Sequence, residues 1–172
     1  MNKINLLEIK NQLAERVIGY FAQNEASQIF HTLNVAYFTQ HIVEQEAVEK
    51  HRAMLLIMAA LLHDIGCPES RRKYGNTLPV HQEEEGLNIA TFFLENVSGL
   101  TAEEKKWIAN VVGNHHHYNK VQTLHFEAVY DADMIVNLLE GFYDKKYAEK
   151  YIKQISTESG KNLFCTLFIE HQ

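Results

Sequence analysis

A histidine followed at once by an aspartate, His63-Asp64, ends a run of ten uninterrupted apolar residues from Ala53 to Leu62. Both side chains are good ligands for a divalent cation, and both are costly to bury without a partner. The run predicts a helix covered on most sides, and Gly66 with Pro68 two residues later predicts its stop. The pair therefore falls on the last turn of a buried helix, where desolvation demands either mutual pairing or a cation.

Residues of the same chemistry are spread along the chain. His31 heads the series His31, Val35, Phe38, Ile42, which is one face of a helix, and so it points inward. In the triplet His115-His116-His117, His115 shares a face with Ile108 and Val112, and His116 lies four residues after Val112 and seven after Ala109. Both border the apolar face, whereas His117 is expected to face solvent. Asp131 and Asp133 lie in a segment that is apolar on nearly every side, and spacing does not decide which of them points to a site. His81 stands off its helix's apolar stripe, Leu87, Ala90, Leu94 and Val97, so spacing alone makes it a surface residue. Glu83, Glu84 and Glu85 beside it read as favourable charge in a first turn.

Taken singly, each of these residues has an ordinary structural explanation. Taken together, they offer inward histidines on the second, third and fifth predicted helices and a carboxylate on the sixth, which is how helical domains build metal sites. Mixed imidazole and carboxylate ligation suits iron, manganese, zinc, nickel or cobalt rather than calcium, and the lack of thiolate ligands argues against a closed structural zinc.

Helical spacing dominates, and no segment alternates with period two over a strand's length. It predicts helices near 5–22, 27–48, 51–65, 80–97, 101–117, 124–141, 144–156 and 158–170, hence an all-α fold. Ser27, the pair Thr101 and Glu104, and Gly141 mark helix ends. The longest stretch without a helical pattern, 66–79, carries Arg71, Arg72 and Lys73; it is expected to wall the site and hold a substrate phosphate. The 172 residues contain 46% hydrophobic and 22% charged side chains and no repeat or linker, which predicts one domain over 1–172. A net charge of −6 argues against long nucleic acid as a partner. Two cysteines give no disulfide framework, the start carries no secretory signal, and the apolar run is short for a bilayer, so a cytoplasmic protein with no membrane partner is expected.

The order His31, His63-Asp64, Asp133 resembles the signature of the HD-domain superfamily of metal-dependent phosphohydrolases. The flanks resemble it too: His-Thr-Leu-Asn-Val-Ala from His31, Ala-Leu-Leu-His-Asp-Ile-Gly around the dyad, and Asp-Ala-Asp before the final apolar helix. The resemblance covers about 27–140 and makes the helices from about 144 to 170 the packing extension of a small stand-alone bacterial type. It implies that His31, His63, Asp64 and Asp133 coordinate one divalent metal, and it selects Asp133 over Asp131. Two-metal members add histidines in the order of His81, His115 and His116. Here Gly86 follows His81 by five residues rather than four, and Tyr118-Asn119-Lys120 lacks the Gly-Tyr-Pro element, so a cyclic-dinucleotide activity is not implied. Gln82-Glu83-Glu84-Glu85-Gly86 is similar to a pattern in small bacterial relatives, in which Glu85 would do the work of His81.

These readings converge on hydrolysis of a phosphate ester, with Asp64, His115 and His116 as catalytic groups and a nucleotide or another small phosphorylated metabolite as substrate. One or two divalent metals and a homodimer are compatible with it. The alternatives are a nucleotide- or metal-binding regulatory module without turnover, a purely structural metal, and a metal-dependent oxygenase.

Overall fold

The computed structural model describes residues 5–169, and no strand occurs among them. The predicted domain's ends, 1–4 and 170–172, lie outside the described residues. α1 (Leu6–Asn24) starts at Asn5, whose side chain caps Leu7 N, and turns Ile9, Leu13, Val17 and Phe21 inward. Next come α2 (Gln28–Gln45), α3 (Lys50–Leu62), α4 (Cys67–Tyr74), α5 (Pro79–Glu95) and α6 (Ala102–Val112). α7 (Tyr118–Leu124), α8 (Glu127–Glu140), α9 (Ala148–Tyr151) and α10 (Glu158–Phe168) complete the order.

α3 is the central element. Leu55 through Leu62 are all buried, because α1, α2, α6 and α8 pack around the helix. That surround is why the run needs no polar face. Lys50–Tyr74 has the length and hydropathy of a membrane span, yet most of it is buried inside the protein as core.

Three segments differ from the expectation. Residues 66–79 contain α4 rather than only a loop. Gly66 has φ −80° and ψ −15°, so the chain keeps a right-handed turn there and does not stop. The glycine serves contact instead: a Cβ on it would stand 2.2 Å from the Gln82 carbonyl oxygen and 2.4 Å from the Gly86 nitrogen. The start of α4 is thus pressed onto α5, and Pro68 sits in α4's first turn, where its missing N–H costs nothing.

The predicted helix 101–117 begins at the Thr101–Glu104 capping box but ends at Val112. The turn that follows winds in the same sense, with Gly113 N bonded to Ala109 O and Asn114 N to Val111 O. For that reason helical phase still places His115 inside, although the triplet is no longer helical. The unpredicted α7 begins after His117, and His125 in the left-handed region (φ 56°) separates it from α8.

The predicted helix 144–156 is broken into α9 flanked by 3-10 turns at Lys145–Tyr147 and Ile152–Gln154. Its end is held by Asp131 of α8, which accepts from Ser156 N (2.9 Å), Thr157 N (2.8 Å) and Thr157 Oγ1 (2.7 Å). Arg52 at the start of α3 lies 3.7 Å over the Trp107 ring and donates to the carbonyls of Leu124 and His125. Trp107 Nε1 donates to Leu124 O as well, which fastens α3, α6 and the α7–α8 junction together.

Candidate metal centre

α2, α3 and α8 meet at the end of the apolar run, and each delivers polar atoms to one point. His31 and His63 bring their Nε2 atoms to 3.1 Å of each other. Asp64 Oδ2 lies 3.4 Å from the first and 3.6 Å from the second, and Asp133 Oδ1 lies 3.3 and 3.6 Å away. Ligands at about 2.1 Å from a cation are separated from their neighbours by about 3.0 Å in an octahedron and about 3.4 Å in a tetrahedron. The observed spacings are therefore the edges of a coordination polyhedron.

The proton positions agree with that geometry. His63 Nδ1 is 2.7 Å from the Ala60 carbonyl oxygen, which only accepts, so the ring hydrogen is on Nδ1. His31 Nδ1 donates in the same way to Glu140 Oε2 at 2.9 Å. With both rings neutral, each histidine turns an Nε2 lone pair to the other, an arrangement that repels unless a proton or a metal cation sits between them. Asn137 Nδ2 donates to Asp133 Oδ1 at 2.8 Å and holds that carboxylate in place.

Burial works against charge here, and the neighbours outweigh it. Burial alone would push His31 down, but Asp133, Asp64 and Glu140 raise it to about 9. His63 and His31, joined by His115 at Asp64, hold the Asp64 and Asp133 carboxyls far below the usual carboxylate range despite their burial. The point where these atoms converge is strongly cation-seeking, and the donor set fits a divalent metal.

A second group adjoins the first through Asp64. Its Oδ1 is 3.3 Å from His115 Nε2, and Asp64, His115 and His116 bring ligand atoms within 4.8 Å of one another. His115 Nδ1 donates to Val112 O at 2.7 Å, so its Nε2 is again a free lone pair, and burial beside His116 lowers its pKa. Spacing gave no sign of the residue at the middle of this group, Gln82. Its Nε2 lies 3.0 Å from Asp64 Oδ1, 3.2 Å from His115 Nε2 and 2.9 Å from His116 Nε2. Glu83, also missed, accepts from His116 N and from His117 Nε2. The signal lay in the buried face of α5, where Gln82, Glu83 and Glu85 are polar residues without a solvated side.

Several expected site residues are not brought here. His81 stacks on Tyr74 with ring centres 4.0 Å apart and bonds to Asn76 Oδ1. Glu85 accepts from Lys73 Nζ (2.8 Å) and the Tyr74 hydroxyl, so it does not take the place assigned to His81. Arg72 is engaged by Glu69, and Lys73 by Glu69 and Glu85. These ion pairs satisfy the two cations away from the cavity. Arg71 alone of the basic triplet lines a cavity of about 210 Å³ in front of the ligands, with its Nε on Glu25 at 2.9 Å. Gln28, Thr77, His116 and Phe142 also line that cavity. A larger, mostly apolar groove of about 630 Å³ between α1, α2 and α3 contains none of the ligand residues. His117 is exposed, as its phase predicts, yet it is tied to Glu83.

Comparison with curated proteins and with solved structures finds no match. A family model does match, that of the HD domain, over residues 29–157. That span includes His31, the His63-Asp64 pair and Asp133, whose side chains meet in the cluster described above. The chain belongs to the HD-domain family.

Proposed function

We infer that the protein is a cytoplasmic phosphohydrolase that takes a small phosphorylated metabolite, such as a nucleotide, and uses iron, manganese, zinc, nickel or cobalt. The observation that carries this reading is the polyhedron of His31 Nε2, His63 Nε2, Asp64 Oδ2 and Asp133 Oδ1 opening on a cavity that an arginine lines. A divalent cation held there supplies Lewis acidity, which makes water a better nucleophile at neutral pH and draws charge from a phosphoryl oxygen.

The chain's own groups do the rest. Asp64 faces both groups of ligands, with Oδ2 toward His31 and His63 and Oδ1 toward His115, and so it is placed to orient the attacking water. His115, buried with its pKa lowered, keeps a basic Nε2 at neutral pH and can hold a proton taken from that water. His116 lies at the cavity wall, where it can protonate a leaving oxygen. Arg71, oriented by Glu25, offers its remaining N–H groups to a phosphate.

Chelator-treated protein reloaded with manganese, cobalt or nickel is expected to release phosphate from an aryl phosphate or a member of a nucleotide panel. Asp64→Ala is expected to lose metal and at least about 100-fold in rate. Metal-loaded protein that binds nucleotides and turns none over would show a regulatory module instead.

A further inference from the structure

Asp64 Oδ1, His115 Nε2 and His116 Nε2 converge as three acceptors on one point, and that point is taken by the Gln82 amide nitrogen. Two amide hydrogens serve three acceptors there. The amide is held in this orientation from several directions. Its Oε1 accepts from the Cys67 thiol at 3.3 Å, the side chain is buried, and the Gln82 backbone is pressed against Gly66 so closely that no Cβ fits between them. A cation bound to the same three atoms would stand against amide hydrogens that point at it.

We propose that Gln82 makes this a one-metal protein: its carboxamide fills the second cation position, fixes Asp64 through Oδ1, and keeps His115 and His116 out of metal ligation. The inference rests on the metal reading of the His31, His63, Asp64 and Asp133 cluster. It does not depend on which ester is hydrolysed.

Gln82→Glu keeps the shape of the side chain and replaces amide hydrogens with a fourth ligand oxygen. Chelator-treated protein is reloaded with manganese(II), desalted, and read by elemental analysis and electron paramagnetic resonance. Wild type is expected to hold one manganese per chain with an uncoupled six-line spectrum, and Gln82→Glu two with an exchange-coupled spectrum. Gln82→Ala, which removes the amide, is expected to take a second manganese more weakly. Two manganese ions in wild type would overturn the proposal without any variant, and so would a single ion in both folded variants. Wild type that holds none overturns the metal reading and this inference with it. Protein that holds one manganese and hydrolyses no phosphate counts against the phosphohydrolase reading only.

Discussion

Asp131 and Asp133 stand two residues apart on α8, and each buries a carboxylate, but they meet different partners. Successive helical residues turn by about 100°, so the two side chains leave the helix about 200° apart. Asp131, fully buried, faces the C-terminal segment and meets only neutral donors, two backbone N–H groups and the Thr157 hydroxyl. Burial outweighs those bonds and raises its carboxyl to about 6. Asp133 faces the centre of the fold and meets two imidazoles and an amide, which hold it far below the usual range in spite of burial. What distinguishes them is the charge of the partner. A buried carboxylate among neutral donors fastens a chain segment, whereas one among imidazoles forms part of a cation site.

The contrast can be broken first at Asp133. Asp133→Ala is expected to lose metal and at least about 100-fold in hydrolysis, because on the proposed reading a ligand itself is removed. Retention of metal in that variant would place the site elsewhere. Asp131→Ala should do the reverse. It leaves three donors unpaired, so urea unfolding is expected to show a loss of about 2–3 kcal/mol with metal content unchanged.

A pH series sharpens the same point. The folded pKa of Asp131, about 6, lies above the unfolded value near 3.8. Its protonation thus contributes stability that is fully present below about pH 4 and lost as the pH rises through 6. The stability advantage of wild type over Asp131→Asn is expected to narrow by up to about 3 kcal/mol between pH 4 and pH 7. A constant difference would mean that the donors favour the ionised form, and the two aspartates would then differ in location only. The smallest effect is expected from Gly160→Ala. Its Cβ would come 2.5 Å from Thr157 Oγ1 and 2.8 Å from Asp131 Oδ2, so a loss of about 1–2 kcal/mol in thermal or urea unfolding should follow, again without loss of metal.

The parts of the site that lie on strongly patterned helices are legible in the sequence. His31 belongs to an apolar stripe and His63-Asp64 closes an apolar run, so burial and direction follow from spacing. Asp131 and Asp133 defeat the same argument because α8 is covered on both sides, by α2 and α3 and by the C-terminal segment. Only the family pattern separates them. The helix α4 escapes because Gly66 and Pro68 look like a stop signal, while here the glycine admits α5 and the proline sits in a first turn. Gln82 and Glu83 escape for a related reason. Apolar periodicity cannot register a buried face made of polar residues, and their histidine partners lie more than thirty residues away in a turn. The family match ends at Thr157, the residue that docks on Asp131, so α10 lies beyond the shared domain.

Trp107 is the chain's only tryptophan, and it sits under the Arg52 guanidinium with its indole N–H on a carbonyl. Its residues of contact belong to α3's first turn and the α7–α8 junction, at the other end of α3 from His63 and Asp64. Intrinsic fluorescence therefore comes from one fixed corner of the molecule. An emission shift will report that corner coming apart, and titration of a metal into the folded protein should leave the spectrum nearly still. The chain thus carries its own optical means of separating unfolding from ligand binding.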